Sequence, residues 1–510
     1  MSSNIPTSIL GVIALLIAYQ IIVSVRSWYR LRAFPGPWSA SWCRIWAFRM
    51  HTNGKMGYTM RSAAEKYGRT FRIGPEDLLT ADIEAIRRLG SARLSYRRSN
   101  FYSSARLDPY NDSMINIMDT VEHDKLKAKL APGYSGKEVP GLEATIDSVV
   151  TELTNKIAEK YASSRNSWQT KQNESSKPLL DFGLMAQYFT LDIISQIAWG
   201  QKLGYLETES DVHGHLAMLA ELLVVNNVAA SIPFLASLIS ERWVQKLLSP
   251  SEKNPRGVFR ILPLSRAVVA KRFAPDAESQ QDMLGSFIRH GLSQAQCNAE
   301  AMVQLIAGSD TTATAIRATL LHIITAPRVY STLQSEIDAA ISSGRICSST
   351  KIVTYAEALS LPYLQAVIYE GIRIWPPFTA TPFKHVPEGG DTIDGKFVPA
   401  GTRIAPNTMA VMRDPVVFGS DVDEFRPERW LLEDGDRVAE MKRVVELVFG
   451  YGRWMCAGKH IAFLELNKVF VELLKRFDFQ IANPTKPWNS VNYALWLQWD
   501  MWVRVTARED

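Results

Sequence analysis

Residues 449–459 read "FGYGRWMCAGK". One cysteine, Cys456, stands among Gly450, Gly452 and Gly458. The residues that follow are apolar at helical spacing: Ile461, Phe463, Leu464, Leu466, Val469, Phe470, Leu473 and Leu474. Cys456 therefore falls at or just before a helix N-terminus. Unpaired backbone N–H groups and the helix dipole favour an anion there and lower a thiol's pKa. The sequence thus predicts a thiolate, and three uses for it are open. A nucleophile needs a base; His460 is close in sequence but not obviously facing it. A structural cysteine stays protonated, the usual case. A metal ligand can stand alone where the cofactor supplies the other ligands, as a porphyrin does. In that third case the glycines let the backbone pass beneath a flat ring, and Phe449 shields the sulfur from water.

The rest of the chain narrows the class. Its 510 residues are 46% hydrophobic and 21% charged, enough for a large core. A net charge of +5 with no long basic tract does not point to nucleic acid. Cys43, Cys297, Cys347 and Cys456 are far apart and form no C-x-x-C, which argues against a zinc ribbon or a local iron–sulfur motif. Residues 1–25 contain no charged side chain. The apolar run from Ile5 to Val25 would make a helix about 31 Å long, against roughly 30 Å of hydrocarbon core. Arg26, Arg30 and Arg32 follow, so the body is expected in the cytoplasm. A signal peptide would carry a basic residue before the run and a small-residue cleavage site after it, and neither is clear. The expected organisation is an anchor over 1–25, a basic and proline-rich hinge over 26–37 ending in "FPGP", and one body over 38–510. Trp28, Tyr29, Trp38, Trp42 and Trp46 suit a body resting on a bilayer interface.

Within the body, Gly68–Thr80 predicts two short strands, and residues 82–375 read mostly as helices. The most polar stretch, Ser163–Pro178, reads as a surface loop. Residues 379–406 and "YALWLQWDMWVRVTA" return to strand chemistry, giving a mainly α class with a minor β portion. One helix is unusual. Ser293 and Gln296 form a capping-box pattern at its start, and Pro327 discourages continuation. It is apolar almost all round and so expected to be buried, yet its middle reads Ala307-Gly308-Ser309-Asp310-Thr311-Thr312. Asp310 lies either on one wet stripe or in a local opening of the helix whose groups hold and donate protons. A second helix carries Glu370 and Arg373 three apart on one face. Arg429, in "FRPERW" (425–430), can hold a carboxylate bidentately.

These four motifs, in order, resemble those of the cytochrome P-450 superfamily. Ala307–Thr312 resembles its oxygen-activating helix, Glu370-x-x-Arg373 with Arg429 its structural ion cluster, and Phe449-x-x-Gly452-x-x-x-Cys456-x-Gly458 its haem-thiolate loop. The "GRWMCAGK" variant looks most like filamentous-fungal members of secondary metabolism. The resemblance implies the cytochrome P-450 fold preceded by one N-terminal transmembrane helix, with haem b (iron protoporphyrin IX) as cofactor. It implies Cys456 as the iron ligand, Asp310 and Thr311 as the proton relay, and Phe449, Gly452 and Gly458 around the haem. His123, Lys127, Lys384 and Arg453 are the expected propionate contacts, although Lys127 and Lys384 stand where the family commonly has arginine. Residues 101–118, 210–235, 378–383 and 491–496 are, by the same analogy, the substrate-contacting stretches. The implied activity is a monooxygenase acting on a lipophilic small molecule at the endoplasmic reticulum membrane, with the catalytic domain cytosolic. NADPH-cytochrome P-450 reductase is the implied electron donor, with cytochrome b5 as a second donor. Lys125, Lys127, Lys129, Arg453 and Lys459 are a candidate docking face. A haem-thiolate isomerase or peroxide-using enzyme, and a non-catalytic haem sensor or carrier, are the alternatives.

Overall fold

A computed structural model describes residues 7–108, 110–164, 177–241, 243–244, 257–347 and 351–508. Helix α1 (Thr7–Arg30) leads into the body. Its last turns are docked on the body. Ser27 donates to Pro75 O and accepts from Arg72, and Arg30 Nη2 donates to Ala400 O (2.6 Å). Leu31 and Phe34, within the expected hinge, are buried in a small core with Leu78, Ala85, Leu89 and Ile404. Among the described residues no helix is long and apolar enough to cross a membrane, so the expected spanning helix has in α1 a counterpart that falls short.

Helices α2 (Ile45–Thr52) and α3 (Met56–Tyr67) precede the predicted strand pair, β1 (Thr70–Gly74) and β2 (Asp77–Thr80), which is antiparallel. These strands join β3 (Arg97–Arg98), β4 (Lys384–His385) and β5 (Arg403–Pro406) in a five-stranded sheet of order β1-β2-β5-β4-β3. Helix α4 (Thr120–Tyr134) starts at Asp119, whose carboxylate accepts from the N–H groups of Val121 and Glu122. Helices α5 (Phe182–Trp199) and α6 (His215–Ser231) follow. Most of the predicted loop Ser163–Pro178 lies outside the described residues.

Helix α7 (Gln294–Thr325) is the predicted buried helix, 32 residues long and opened by the Ser293–Gln296 capping box. It ends at Thr325, and Pro327 begins the next helix. It packs against α5, α8 (Pro362–Ile374) and α9 (Lys459–Arg476). Strands β6 (Phe477–Ile481), β7 (Asn489–Tyr493), β8 (Leu495–Trp499) and β9 (Trp502–Ala507) close the chain, with β7 and β8 an antiparallel hairpin and β6 paired to β9. The expected mainly α body with a minor β portion is what forms. One large apolar core joins α5, α7, α8, α9 and β9, and besides the small core around Leu31 and Phe34 a third lies under β1 and α3.

Candidate active site

The Cys456 loop is built by backbone geometry. Cys456 N–H donates to Phe449 O (2.6 Å), which closes the turn. Gly450 and Gly452 both have left-handed backbones, with φ of 78° and 55°. A side chain at Gly452 would meet the Gly90 carbonyl oxygen at 2.5 Å. Gly452 is therefore required by its close approach to the end of the Ile83–Gly90 helix. Gly458 lies beside the sulfur, its Cβ position 3.9 Å from Sγ. The Phe449 ring packs on Phe463, with centroids 5.6 Å apart.

Cys456 sits just before the α9 N-terminus as expected, with opposing influences on its thiol. Burial pushes its pKa up, against the N–H groups of Gly458 and Lys459 and the charges of Lys127 and Lys459. A metal cation on the sulfur reverses that balance, because a coordinating thiol is deprotonated outright. All four cysteines are free.

Helix α7 is continuous, so the expected local opening of its backbone does not occur. Between Ala299 and Leu321 every residue is buried except Ala307, Gly308 and Thr311. Ala307 and Thr311 are four apart and share one face, which is the wet stripe of this helix. Thr311 Oγ1 donates to Ala307 O (2.9 Å). Asp310 is off the stripe: it is 1% exposed and its Oδ2 lies 3.1 Å from His215 Nε2 at the start of α6. Gly308 serves packing, since a Cβ there would lie 2.8 Å from the Ile194 side chain of α5.

The expected propionate residues separate into two groups. Lys127 Nζ donates to Arg453 O (2.7 Å) and Met455 O (2.8 Å), so it braces the cysteine loop. Arg453 pairs with Asp124 (2.9 Å), whose other oxygen lies 3.0 Å from His123 Nδ1. Burial pushes the His123 pKa down to about 4. Lys384 is different. It is buried, donates to Leu89 O (3.0 Å), and its ammonium sits 4.3 Å from the Trp454 ring centroid. Arg98 of β3, which the motif reading missed, faces the same ring at 4.2 Å. Its Nη1 donates to Met114 O and Ile117 O, while its Nε is buried without a partner. Among the described residues no carboxylate forms an ion pair with Arg98 or Lys384. "YRRS" (96–99) was the available signal, but two adjacent arginines on a short strand name no ligand.

The ion cluster is more complete than its sequence pattern. Both oxygens of Glu370 are bound by Arg373 (2.8 Å each), and Arg429 Nε and Trp430 Nε1 add bonds of 3.0 Å. All three charged groups are fully buried, which a carboxylate tolerates only when so thoroughly paired.

The chain also matches a known family: the sequence profile described as Cytochrome P450 spans residues 35–498. The chain belongs to the cytochrome P450 family. It is 42% identical over 502 residues to "Cytochrome P450 monooxygenase ABA1" of Pyricularia oryzae, covering 98% of this chain and 96% of that protein. It is 40% identical over 480 residues to the aba1 monooxygenase of Botryotinia fuckeliana, covering 94% and 92% of the two. Identity to the gsfF monooxygenase of Penicillium aethiopicum is 30% over 498 residues, covering 95% of each. This cytochrome P450 is a haem-dependent monooxygenase, which uses iron protoporphyrin IX, takes electrons from a redox partner and acts on lipophilic substrates with dioxygen. The site suits that group: one sulfur with N–H donors for the iron, and two buried cations without carboxylate partners for anionic propionates. Among the described residues no cluster of three or more His, Cys, Asp or Glu could hold a metal ion.

Proposed function

We propose that this P450 is a membrane-anchored enzyme of secondary metabolism with Cys456 as its single protein ligand to iron. The observation that carries the ligand assignment is the sulfur beside the α9 N-terminus, 3.9 Å from the Cβ position of Gly458, the N-cap residue of the helix. Bound haem supplies dioxygen activation, in which one oxygen atom enters the substrate and the other leaves as water. The chain supplies protons and position. Thr311 Oγ1, on the wet stripe of α7, would exchange its bond to Ala307 O for one to a group in the site, and would pass a proton on only as it takes one up from the Asp310 side. Asp310, the adjacent residue, is buried with its Oδ2 3.1 Å from His215 Nε2 and forms the inner part of the relay. Arg98 and Lys384 bind the propionates. His123, Lys127 and Arg453 support the loop beside them, and Phe449, Gly452 and Gly458 fix its path.

Residues 1–25 form the anchor, 26–37 the connection and 38–510 the catalytic body. The charge-free run and the exposed Leu15, Tyr19, Ile21 and Ile22 of α1 support the anchor. The enzyme then lies on the cytosolic face of the endoplasmic reticulum and draws electrons from NADPH-cytochrome P-450 reductase, with cytochrome b5 as a second donor. Exposed Lys125 and the basic residues near the Cys456 loop support a docking face there. The test is spectroscopic. Reduced enzyme with carbon monoxide should show the strongly red-shifted Soret band of a thiolate-ligated haem, and Cys456→His should abolish it. A band that survives the substitution would reject the ligand.

A further inference from the structure

Three stretches proposed to line the substrate space, 210–235, 378–383 and 491–496, come from α6, a connecting segment and the β7–β8 hairpin. They are joined by buried polar side chains. Asn227 Nδ2 donates to Leu223 O within α6 and to Tyr493 O on the hairpin, both at 2.9 Å. Thr379 N–H donates to Ala494 O (2.8 Å), and its Oγ1 lies 3.0 Å from Asn492 Oδ1. The link between α6 and the 378–383 segment comes from outside all three stretches. His51 of α2 has Nδ1 2.8 Å from Ser231 Oγ and Nε2 3.1 Å from Thr381 Oγ1. His51, Ser231 and Thr381 are each at most 1% exposed.

The proton positions follow from counting. Ser231 has one hydroxyl hydrogen, and it donates to Asn227 O at 2.8 Å. Ser231 therefore accepts from His51, so the imidazole carries its proton on Nδ1. Nε2 is then the acceptor, and Thr381 donates to it. A neutral ring meets both demands. Burial pushes the His51 pKa down to about 4; Asp77 opposes the shift, while Arg403 and Arg44 add to it. The link thus has the same form throughout the neutral range.

We infer that His51 is a positioning residue for the monooxygenase reaction: it braces the C-terminal end of α6 to the 378–383 segment and so sets the size of substrate that fits between them. This rests on the reading that those stretches line the substrate space. A two-point bridge through a stiff ring fixes a separation, whereas an apolar side chain of similar volume fills the site without fixing it.

The test uses full-length holoenzyme and two azoles whose nitrogen binds the iron: imidazole, which is small, and 1-(4-phenylbenzyl)imidazole, which is long. The variants are His51→Leu, which breaks both bonds, Thr381→Val, which breaks one and keeps shape, and His51→Asn, which keeps the Ser231 side. The reduced carbon monoxide band gives the folded fraction of each. Soret titrations should show imidazole affinity within about twofold of wild type. Affinity for the long azole should change by about tenfold in His51→Leu and Thr381→Val, with His51→Asn between. Hydrogen exchange in 223–233 and 379–385 should rise together. Equal changes for both azoles, or unchanged binding of the long one, would overturn the inference. Phe378→Ala separates the causes, because Phe378 is an exposed side chain of the same segment. If Phe378→Ala shifts the long azole and His51→Leu does not, the brace is wrong. If neither does, the lining itself is wrong and the brace falls with it.

Discussion

Thr311 and Asp310 are adjacent in sequence and serve different surroundings. Thr311 is on the wet stripe of α7, and Asp310 is buried against His215. That division makes the threonine the group whose removal isolates proton delivery. Thr311→Ala keeps the helix and removes the hydroxyl. Product formed per NADPH should fall, within the roughly 10²–10⁴-fold range of general acid–base catalysis, while hydrogen peroxide rises. The carbon monoxide spectrum should not change. Full coupling in the variant would remove the relay and reopen the peroxide-using and isomerase readings. The two residues were legible in the sequence because both lie in one short motif. Asp310's partner was not, because His215 is on another helix and nothing local marks it. The packing demand on Gly452 was hidden for the same reason: the Gly90 carbonyl that it lies against belongs to a distant part of the chain.

At the scale of elements, α7 also fixes a loop. Glu300 Oε1 accepts the Met114 N–H (2.6 Å), which ties the chain at Met114 to the helix, while Oε2 is buried without a partner. Burial pushes the Glu300 pKa from 4.5 up to about 7, with the Met114 bond working against the shift. The folded state therefore keeps a proton on Glu300 that the unfolded chain has lost. Between about pH 4.5 and about pH 7 this group makes stability fall as pH rises, and above that the loss is constant. Each pKa unit is worth about 1.4 kcal/mol, so the full effect is ~3 kcal/mol. Glu300→Gln keeps an acceptor for Met114 and removes the titration. Thermal midpoints of the two proteins should be similar near about pH 5 and should diverge toward about pH 8, with the variant the more stable. Parallel pH profiles would contradict the assignment. Elements with local signals were the legible ones. The capping box fixed the start of α7, and the apolar spacing after Cys456 gave α9. The Glu370–Arg373 pair was visible as a helix pair, but its burial depends on Arg429 and Trp430 arriving from another segment.

At the scale of the whole molecule, the sequence marked a boundary near residue 25 by charge, and the structure marks one by packing. The two differ. From Ser27 onward the chain is built into the body: Ser27 bonds Pro75 and Arg72, and Leu31 and Phe34 are 2% and 4% exposed. Charge could not reveal this, because a residue's contacts with the sheet depend on a fold that brings Leu78 and Ile404 beside it. Two truncations distinguish anchoring from packing. Deleting residues 1–25 removes the charge-free run and leaves every one of these contacts. The protein should move from the membrane pellet toward the soluble fraction, with its haem, carbon monoxide band and thermal midpoint retained. Deleting residues 1–37 also removes Leu31 and Phe34 from their core. Burial of such a side chain is worth about 1.5–3 kcal/mol, so loss of both should destabilise the body by several kcal/mol and lower its haem content. Fractionation shows whether the first segment holds the membrane, and haem retention shows whether the second holds the fold. If the shorter deletion stays in the pellet, another surface binds the bilayer. If the longer deletion is as stable as the shorter, the docked segment contributes nothing to the body.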